Sequence, residues 1–283
     1  MCDEVIEYLV VREHGVYIDA TFGLGGHSEA ILRHLSCEGR LIGIDRDEEA
    51  LRIAKDRLID MRVSLIKGDY TEIAEIVRDL GYKLVDGILI DMGTSMYQLK
   101  NNERGFGFDS DCRLDMRMDQ TQELNAWDIV NKYSFNEIQN ILRDYGQEPR
   151  YRGIAKAIDR TRKVSTIDTC KELSEIISRV YGKRGKRHPA TQSFQALRIA
   201  VNDEFNALDS ALKGSAEILT SGGRLCVISY HSLEDRAVKL FFREKGKDGS
   251  FNVITDKPLR PTLNEIRKNK SARSAMFRVG EKI

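Results

Sequence analysis

Four aspartates, Asp19, Asp45, Asp69 and Asp91, each close or closely follow a short apolar run. The first of them leads into the glycine-rich stretch Gly23-Leu-Gly-Gly-His27. An apolar run of this length reads as a buried strand. An acid at its end, before a glycine turn and a helix, is the build of a nucleotide-cofactor cleft at the carboxyl edge of a parallel sheet. The details of the turn separate two cofactor classes. A dinucleotide site uses Gly-x-Gly-x-x-Gly; Gly23 and Gly25 fit that spacing, but Ser28 stands in the third position. Asp19 would also set a carboxylate against a pyrophosphate at the helix N-terminus. An acid there suits a cofactor that lacks phosphate and carries cationic groups. S-adenosylmethionine, with its ammonium and sulfonium, has that chemistry, and a nicotinamide dinucleotide does not.

The elements that must hold these acids alternate along the chain. Apolar strands at 16–19, 40–45, 63–70 and 85–91 are separated by helical stretches at 28–35, 47–58 and 71–80, with Asp47 as a helix N-cap. Strand–helix alternation with short links predicts an α/β fold, a parallel sheet with helices on its faces. Asp45 lies about 20 residues beyond the glycines, where an acid binds ribose hydroxyls. The four acids converge on the edge where open α/β sheets bind ligands. The alternation then stops. Residues 101–187 carry no strand pattern and four helical stretches, at 126–133, 136–145, 154–162 and 169–181. An all-helical insertion over 103–187 follows, inside a sheet domain made of 1–102 and 188–283. That domain resumes with a helical run at 190–219, a strand at 224–229, a helix from Leu233 and two strands near 251–255 and 275–279.

Composition narrows the setting. No apolar run approaches the ~20 residues of a membrane span, and no basic-then-apolar leader opens the sequence. The five cysteines are scattered without a Cys-x-x-Cys, and no two histidines have metal-ligand spacing. A cytoplasmic protein without disulfides, metal or membrane partner is expected. The net charge of +1 hides an asymmetry: residues 150–198 hold thirteen Lys and Arg against four Asp and Glu. A local excess of that size points to a polyanion-facing module.

Several linked segments resemble the RsmH (MraW) family of S-adenosylmethionine-dependent methyltransferases, over nearly the whole chain. They are Asp19-Ala-Thr-Phe-Gly with Gly25-Gly26-His27-Ser28; Glu103-Arg-Gly-Phe106; Leu114-Asp-Met-Arg-Met-Asp119; His188-Pro-Ala-Thr191 with Phe194-Gln-Ala-Leu-Arg-Ile199; and Ser229-Tyr-His-Ser-Leu-Glu-Asp-Arg236. The resemblance implies a class I, Rossmann-like methyltransferase fold with the helical insertion recognising substrate. It implies methyl transfer to the N4 amine of a decoding-site cytidine in small-subunit ribosomal RNA, free or in the assembled subunit, and it leaves a homodimer open. It places cofactor contacts on Gly25, Gly26, His27, Asp45, Tyr70, Asp91 and Gln98.

Methylating a cytosine N4 needs no strong base, because the amine proton becomes acidic as the new bond forms. The site must hold the amine, accept its hydrogens and grip the base. Asp91 is expected to accept those hydrogens. Tyr97, Phe106, Phe108 or Tyr230 would stack on the base, and His231 would position it or remove a proton. Phosphates are expected at Lys183-Arg-Gly-Lys-Arg187, beside His188, and at Arg198. The Leu114–Asp119 segment reads equally as an RNA contact or as a turn held by ion pairs. Many amine methyltransferases carry Asp/Asn-Pro-Pro-aromatic after the fourth strand; here the stretch is Asp91-Met-Gly-Thr-Ser95, which has no proline, as in the family. In Met96, Tyr97 and Lys100 the chain departs from the family's usual loop, as it does in Cys112-Arg113 and at 269–274. Those departures leave open a related methyltransferase on another RNA, or an assembly factor that binds RNA with little catalysis.

Overall fold

The computed structural model describes residues 1–182 and 188–283. They form two units, one of Met1–Gly93 with Phe205–Ile283 and one of Thr94–Glu204. In chain order the first unit opens with α1 (Cys2–Leu9), β1 (Val16–Asp19), α2 (Gly26–Leu32), β2 (Arg40–Asp45), α3 (Glu48–Arg57), β3 (Val63–Lys67), α4 (Ile73–Asp79) and β4 (Val85–Asp91). The second unit holds α5 (Met96–Lys100), α6 (Ala126–Lys132), α7 (Phe135–Asp144), α8 (Tyr151–Arg162), α9 (Cys170–Tyr181) and α10 (Thr191–Asn202). The chain then returns with α11 (Glu204–Ile218), β5 (Leu219–Ser229), α12 (Ser232–Lys247), β6 (Phe251–Val253), α13 (Leu263–Lys268) and β7 (Met276–Lys282).

The sheet has seven strands in the order β3-β2-β1-β4-β5-β7-β6. β1 through β5 are mutually parallel, and β7 runs antiparallel to both β5 and β6. The order reverses between β1 and β4, so the carboxyl ends of these two strands flank the crevice where α/β sheets take ligands. Side chains alternate across the sheet. Ile18, Ile42, Ile44, Ile88 and Ile90 face one way, into a core with Ile73, Val77, Leu208, Leu212 and Phe242. Tyr17, Leu41 and Leu89 face the other, against Val5, Leu9, Ile31 and Phe277. Both faces are covered, which is why these strands read as continuous apolar runs. Gly43 interrupts the β2 run for a steric reason: a Cβ there would stand 2.2 Å from the ring of Phe22.

The helical unit has its own core, built on Leu114, Ile129, Ile138, Leu142, Ile154, Ile158, Leu173, Ile177, Phe194 and Leu197. Its helix starts are written in the sequence as capping boxes, Asn125 with Asp128, Ser134 with Glu137 and Thr169 with Glu172. Its boundaries differ from those expected. The division falls after Gly93 and after Glu204 rather than after 102 and 187, because α10 buries Phe194, Ala196 and Leu197 in the helical core. The single helical run expected at 190–219 is also two helices. Asp203 breaks it with a left-handed backbone, φ 47°, a conformation that Asn and Asp tolerate better than other side chains. β5 begins at Leu219, earlier than expected, and carries an irregularity between the partners of Val85 and Gly87.

Candidate active site

The glycine turn after β1 is fixed by the backbone. Gly25 caps α2 at φ +79°, a left-handed value that favours glycine, and a Cβ there would press on the Phe22 ring. At Gly26 a Cβ would meet nothing within 4 Å, so the turn opens onto free space at the start of α2. Asp19 is buried beneath it. Its carboxylate accepts from the Ser28 hydroxyl at 2.7 Å and from the Thr21 N–H at 3.3 Å. Burial pushes its pKa up, against those bonds and the His27 charge. The residue that breaks the dinucleotide pattern, Ser28, is thus the partner of the acid beneath the turn.

Asp45 reaches back to the same turn. One oxygen accepts from the Gly23 N–H at 2.6 Å and the other from the Asp47 N–H at 2.8 Å. Burial raises its pKa to about 6, opposed by those two bonds. A carboxylate can accept about four hydrogen bonds, so each oxygen keeps capacity for a hydroxyl. The cap of α3 is Asp47, which accepts from the Ala50 N–H, and Asp45 is left for the cleft. Asp69 caps the next turn through the Thr71 N–H at 2.9 Å and pairs with Arg46 at 3.2 Å. Arg46 also lies over the ring of Tyr70, 5.1 Å from its centroid. Tyr70 itself packs into the sheet core.

Asp91, at the end of β4, is the most connected group of the edge. Its N–H donates to the Thr21 hydroxyl at 2.7 Å. Oδ1 accepts from the Tyr230 hydroxyl at 2.9 Å, and Oδ2 lies 3.4 Å from His27 Nε2. Burial and the Asp91 charge together push the Tyr230 hydroxyl up. For His27, burial favours the neutral ring, but Asp91 on one nitrogen and Cys2 Sγ, 3.4 Å from the other, outweigh it and raise its pKa to about 10. His27 is therefore an imidazolium at neutral pH. Nothing in the local sequence marked the partnership of Tyr230, Thr21 and Cys2 with this cluster, because Tyr230 stands 139 positions from Asp91. Tyr230, expected as a base-stacking ring, has its hydroxyl committed to Asp91.

His231 follows β5 and caps α12. Its Nδ1 accepts from the Glu234 N–H at 3.3 Å, and the Glu234 carboxylate accepts from the Tyr230 and His231 N–H groups. Its Nε2 lies 2.9 Å from Glu234 Oε1 but out of line for a hydrogen bond. The ring is thus first a helix cap.

The helical unit holds the remaining expected residues. Tyr97 is half-buried on α5, and Gln98 closes that helix's capping box, its Oε1 accepting from the Ser95 N–H at 3.0 Å. Two candidate stacking rings are taken up in packing: Phe106 lies in the helical core, and Phe108 stacks on His188 with centroids 4.8 Å apart and meets Phe194 edge-on. Arg198 does not offer itself to phosphate. It makes a two-point pair with Glu204 at 2.7 and 2.8 Å. The Leu114–Asp119 segment is a turn. Arg117 clamps Asp115 at 2.9 and 2.8 Å, Arg104 donates to the Arg117 and Met118 carbonyls, and Asn202 bridges the Met116 carbonyl and the Met118 N–H, each at 2.8 Å. The basic run 183–187 lies outside the described residues. Among the described residues no His, Cys, Asp and Glu cluster could hold a metal, and no helix is long and apolar enough to cross a membrane.

The sheet order, a glycine turn at the switch point, free space above Gly26 and an acid at the second strand end define a class I S-adenosylmethionine-dependent methyltransferase. The MraW methylase family model matches residues 1–283, and the chain belongs to that family. A protein named ribosomal RNA small subunit methyltransferase H from Caldicellulosiruptor saccharolyticus is 43% identical, with 100% of this chain and 98% of the relative covered. Proteins of the same name from Dictyoglomus turgidum and Persephonella marina are 45% and 44% identical, covering 100% and 99% of this chain and 96% and 97% of their own.

Proposed function

We propose that this chain methylates the N4 amine of a decoding-site cytidine in small-subunit ribosomal RNA, in the cytoplasm, with S-adenosylmethionine as donor. The observation that carries the reading is the Asp91 cluster at the switch point beside an open glycine turn, a carboxylate held on one oxygen by Tyr230 and on the other by His27, with its backbone N–H tied to Thr21. The bound cofactor supplies an electrophilic methyl group on its sulfonium. Gly25 and Gly26 let the backbone approach the methionine portion, and the second lone pairs of Asp45 take the ribose hydroxyls. Tyr70, backed by Arg46, borders the adenine, and His27 and Gln98 complete the cofactor contacts.

Asp91 has two roles in this reading. Its carboxylate borders the cofactor and accepts hydrogens of the target amine, which holds the nitrogen lone pair toward the methyl group. Tyr230 and His27 keep the carboxylate from rotating. The amine proton, acidified as its nitrogen gains a bond, leaves through Asp91 to solvent. His231 positions the loop that follows β5 rather than taking the proton, since its Nδ1 lone pair serves the α12 cap. Tyr97 stacks on the cytosine, and the helical unit recognises the surrounding RNA.

The test is methyl transfer to small-subunit rRNA, free and in assembled subunits, read by nucleoside mass spectrometry. The wild-type chain should form N4-methylcytidine. Asp91→Asn should slow transfer by about a hundredfold or more while still binding cofactor in calorimetry. Unimpaired transfer by that variant would reject the role of Asp91. Absence of N4-methylcytidine with both substrates would reject the reaction.

A further inference from the structure

Many charged groups among the described residues of the helical unit are matched within it. Asp159 takes both Arg162 and Lys163, Asp128 takes Lys132, Glu175 takes Arg179, Asp111 takes Lys171, and Arg198 pairs with Glu204. The outer face of α8 is different. Arg152, Lys156 and Arg160 are exposed and recur every four residues, opposite the buried Ile154, Ala155 and Ile158. The Arg152 guanidinium lies 5.6 Å from the ring centroid of its neighbour Tyr151. Among the described residues the side chains of Lys156 and Arg160 make no ion pair or hydrogen bond.

This stripe works against the helix that carries it. Like charges four apart destabilise a helix by roughly 0.2–0.5 kcal/mol per pair. The first turn of α8 contains no acid and has Arg152 instead, which places a cation at the positive end of the helix dipole. α12 is the contrast. Its cations Lys239, Arg243 and Lys247 have the same spacing, but Glu234 and Asp235 stand in its first turn and the cations fall toward its end, as the dipole favours. Arg160 stands in the last turn of α8, where the dipole favours it, so Arg152 at the start is the cation of this stripe that the helix dipole opposes.

We propose that Arg152, Lys156 and Arg160 form a docking surface for the phosphate backbone of the RNA substrate. Side chains four residues apart stand about 6 Å apart along a helix, so the stripe offers a row of charges to consecutive phosphates. The positive face needs a polyanion to offset its self-repulsion, and RNA is the polyanion that the proposed reaction supplies; the inference rests on that reading.

The experiment measures binding of the full chain to a small-subunit rRNA fragment across a salt series, beside cofactor binding and N4-methylcytidine formation. The variants are R152Q/K156Q/R160Q and, as a control of equal charge change, K239Q/R243Q/K247Q. Each phosphate neutralised contributes about 0.7–0.9 to the slope of log affinity against log salt. The α8 variant should therefore lose about 2 to 3 of that slope and bind RNA on the order of tenfold or more weaker at moderate salt. Its cofactor affinity should be unchanged, and the α12 variant should behave as wild type. If the α8 variant keeps the wild-type slope while the wild type methylates cytidine, the surface is refuted and the function stands. Equal losses in both variants would reduce the effect to net charge and likewise refute it. If RNA binding depends on α8 but no cytidine is methylated, the surface stands and the reaction fails.

Discussion

The two units treat their charges in opposite ways. At the sheet edge, ionisable groups are buried and held away from their ordinary ionisation, two acids by the burial itself and one histidine by its partners. Asp19 is raised, Asp45 is raised to about 6, and His27, against its burial, is raised to about 10 by Asp91 and Cys2. In the helical unit, conspicuous charged motifs are closed on themselves. Arg117 with Asp115 and Arg198 with Glu204 are two-point pairs, and Asn202 is used on both sides of its amide. Charges held away from their ordinary ionisation mark where chemistry is done, whereas charges matched in two-point pairs mark where a turn must be held.

The sharpest way to break this comparison is at Arg198. Arg198→Ala leaves the buried Glu204 carboxylate alone, and losing one partner of a buried pair destabilises by about 3–5 kcal/mol. Urea unfolding should show that loss, and replacing both residues by apolar ones of similar size should recover most of it. A variant of normal stability with weakened RNA binding would instead make Arg198 a phosphate contact and void the contrast.

Asp45 sharpens it from the other side. Its ionised form is the one that accepts hydroxyls, so S-adenosylmethionine affinity should fall as pH drops through about 6, approaching about tenfold per pH unit below it. Asp45→Asn should bind weakly and lose that dependence in calorimetry. Stability carries the opposite sign. The fold prefers Asp45 protonated, so its contribution is present below its ordinary value of 3.8 and lost as pH rises through about 6. Affinity that stays flat across this window would remove Asp45 from the cofactor site.

The smallest effect is expected at His231. As a cap, His231→Ala should lower stability by about 1 kcal/mol, His231→Asn should restore it, and kcat should fall less than about tenfold for either. A kcat drop beyond about a hundredfold in both, with normal stability and cofactor affinity, would return His231 to proton transfer.

Much of the sheet unit was legible in the chain because its signals are local. A buried strand is a short apolar run, an acid closes it, and a glycine turn follows; β1, β2 and β4 stand within a residue of where those patterns place them. The capping boxes at Asn125, Ser134 and Thr169 likewise mark their helices. Arg198 misled because a guanidinium in a basic segment looks free until its carboxylate is found, and Glu204 sits one helix later, past the Asp203 break. Phe108 misled for a related reason: an aromatic near a site is free to stack on a base only if no other ring has claimed its face, and His188 stacks on this one.

Strand periodicity and turn chemistry act over a few residues, so the parallel sheet, the line of acids at its edge and the kind of cofactor that such an edge admits are already written in the chain. Which side chains meet is settled by packing at long range. Tyr230 and His27 reach Asp91 across 139 and 64 positions of chain, and a bond between such residues exists only once the sheet order has brought β1, β4 and β5 side by side.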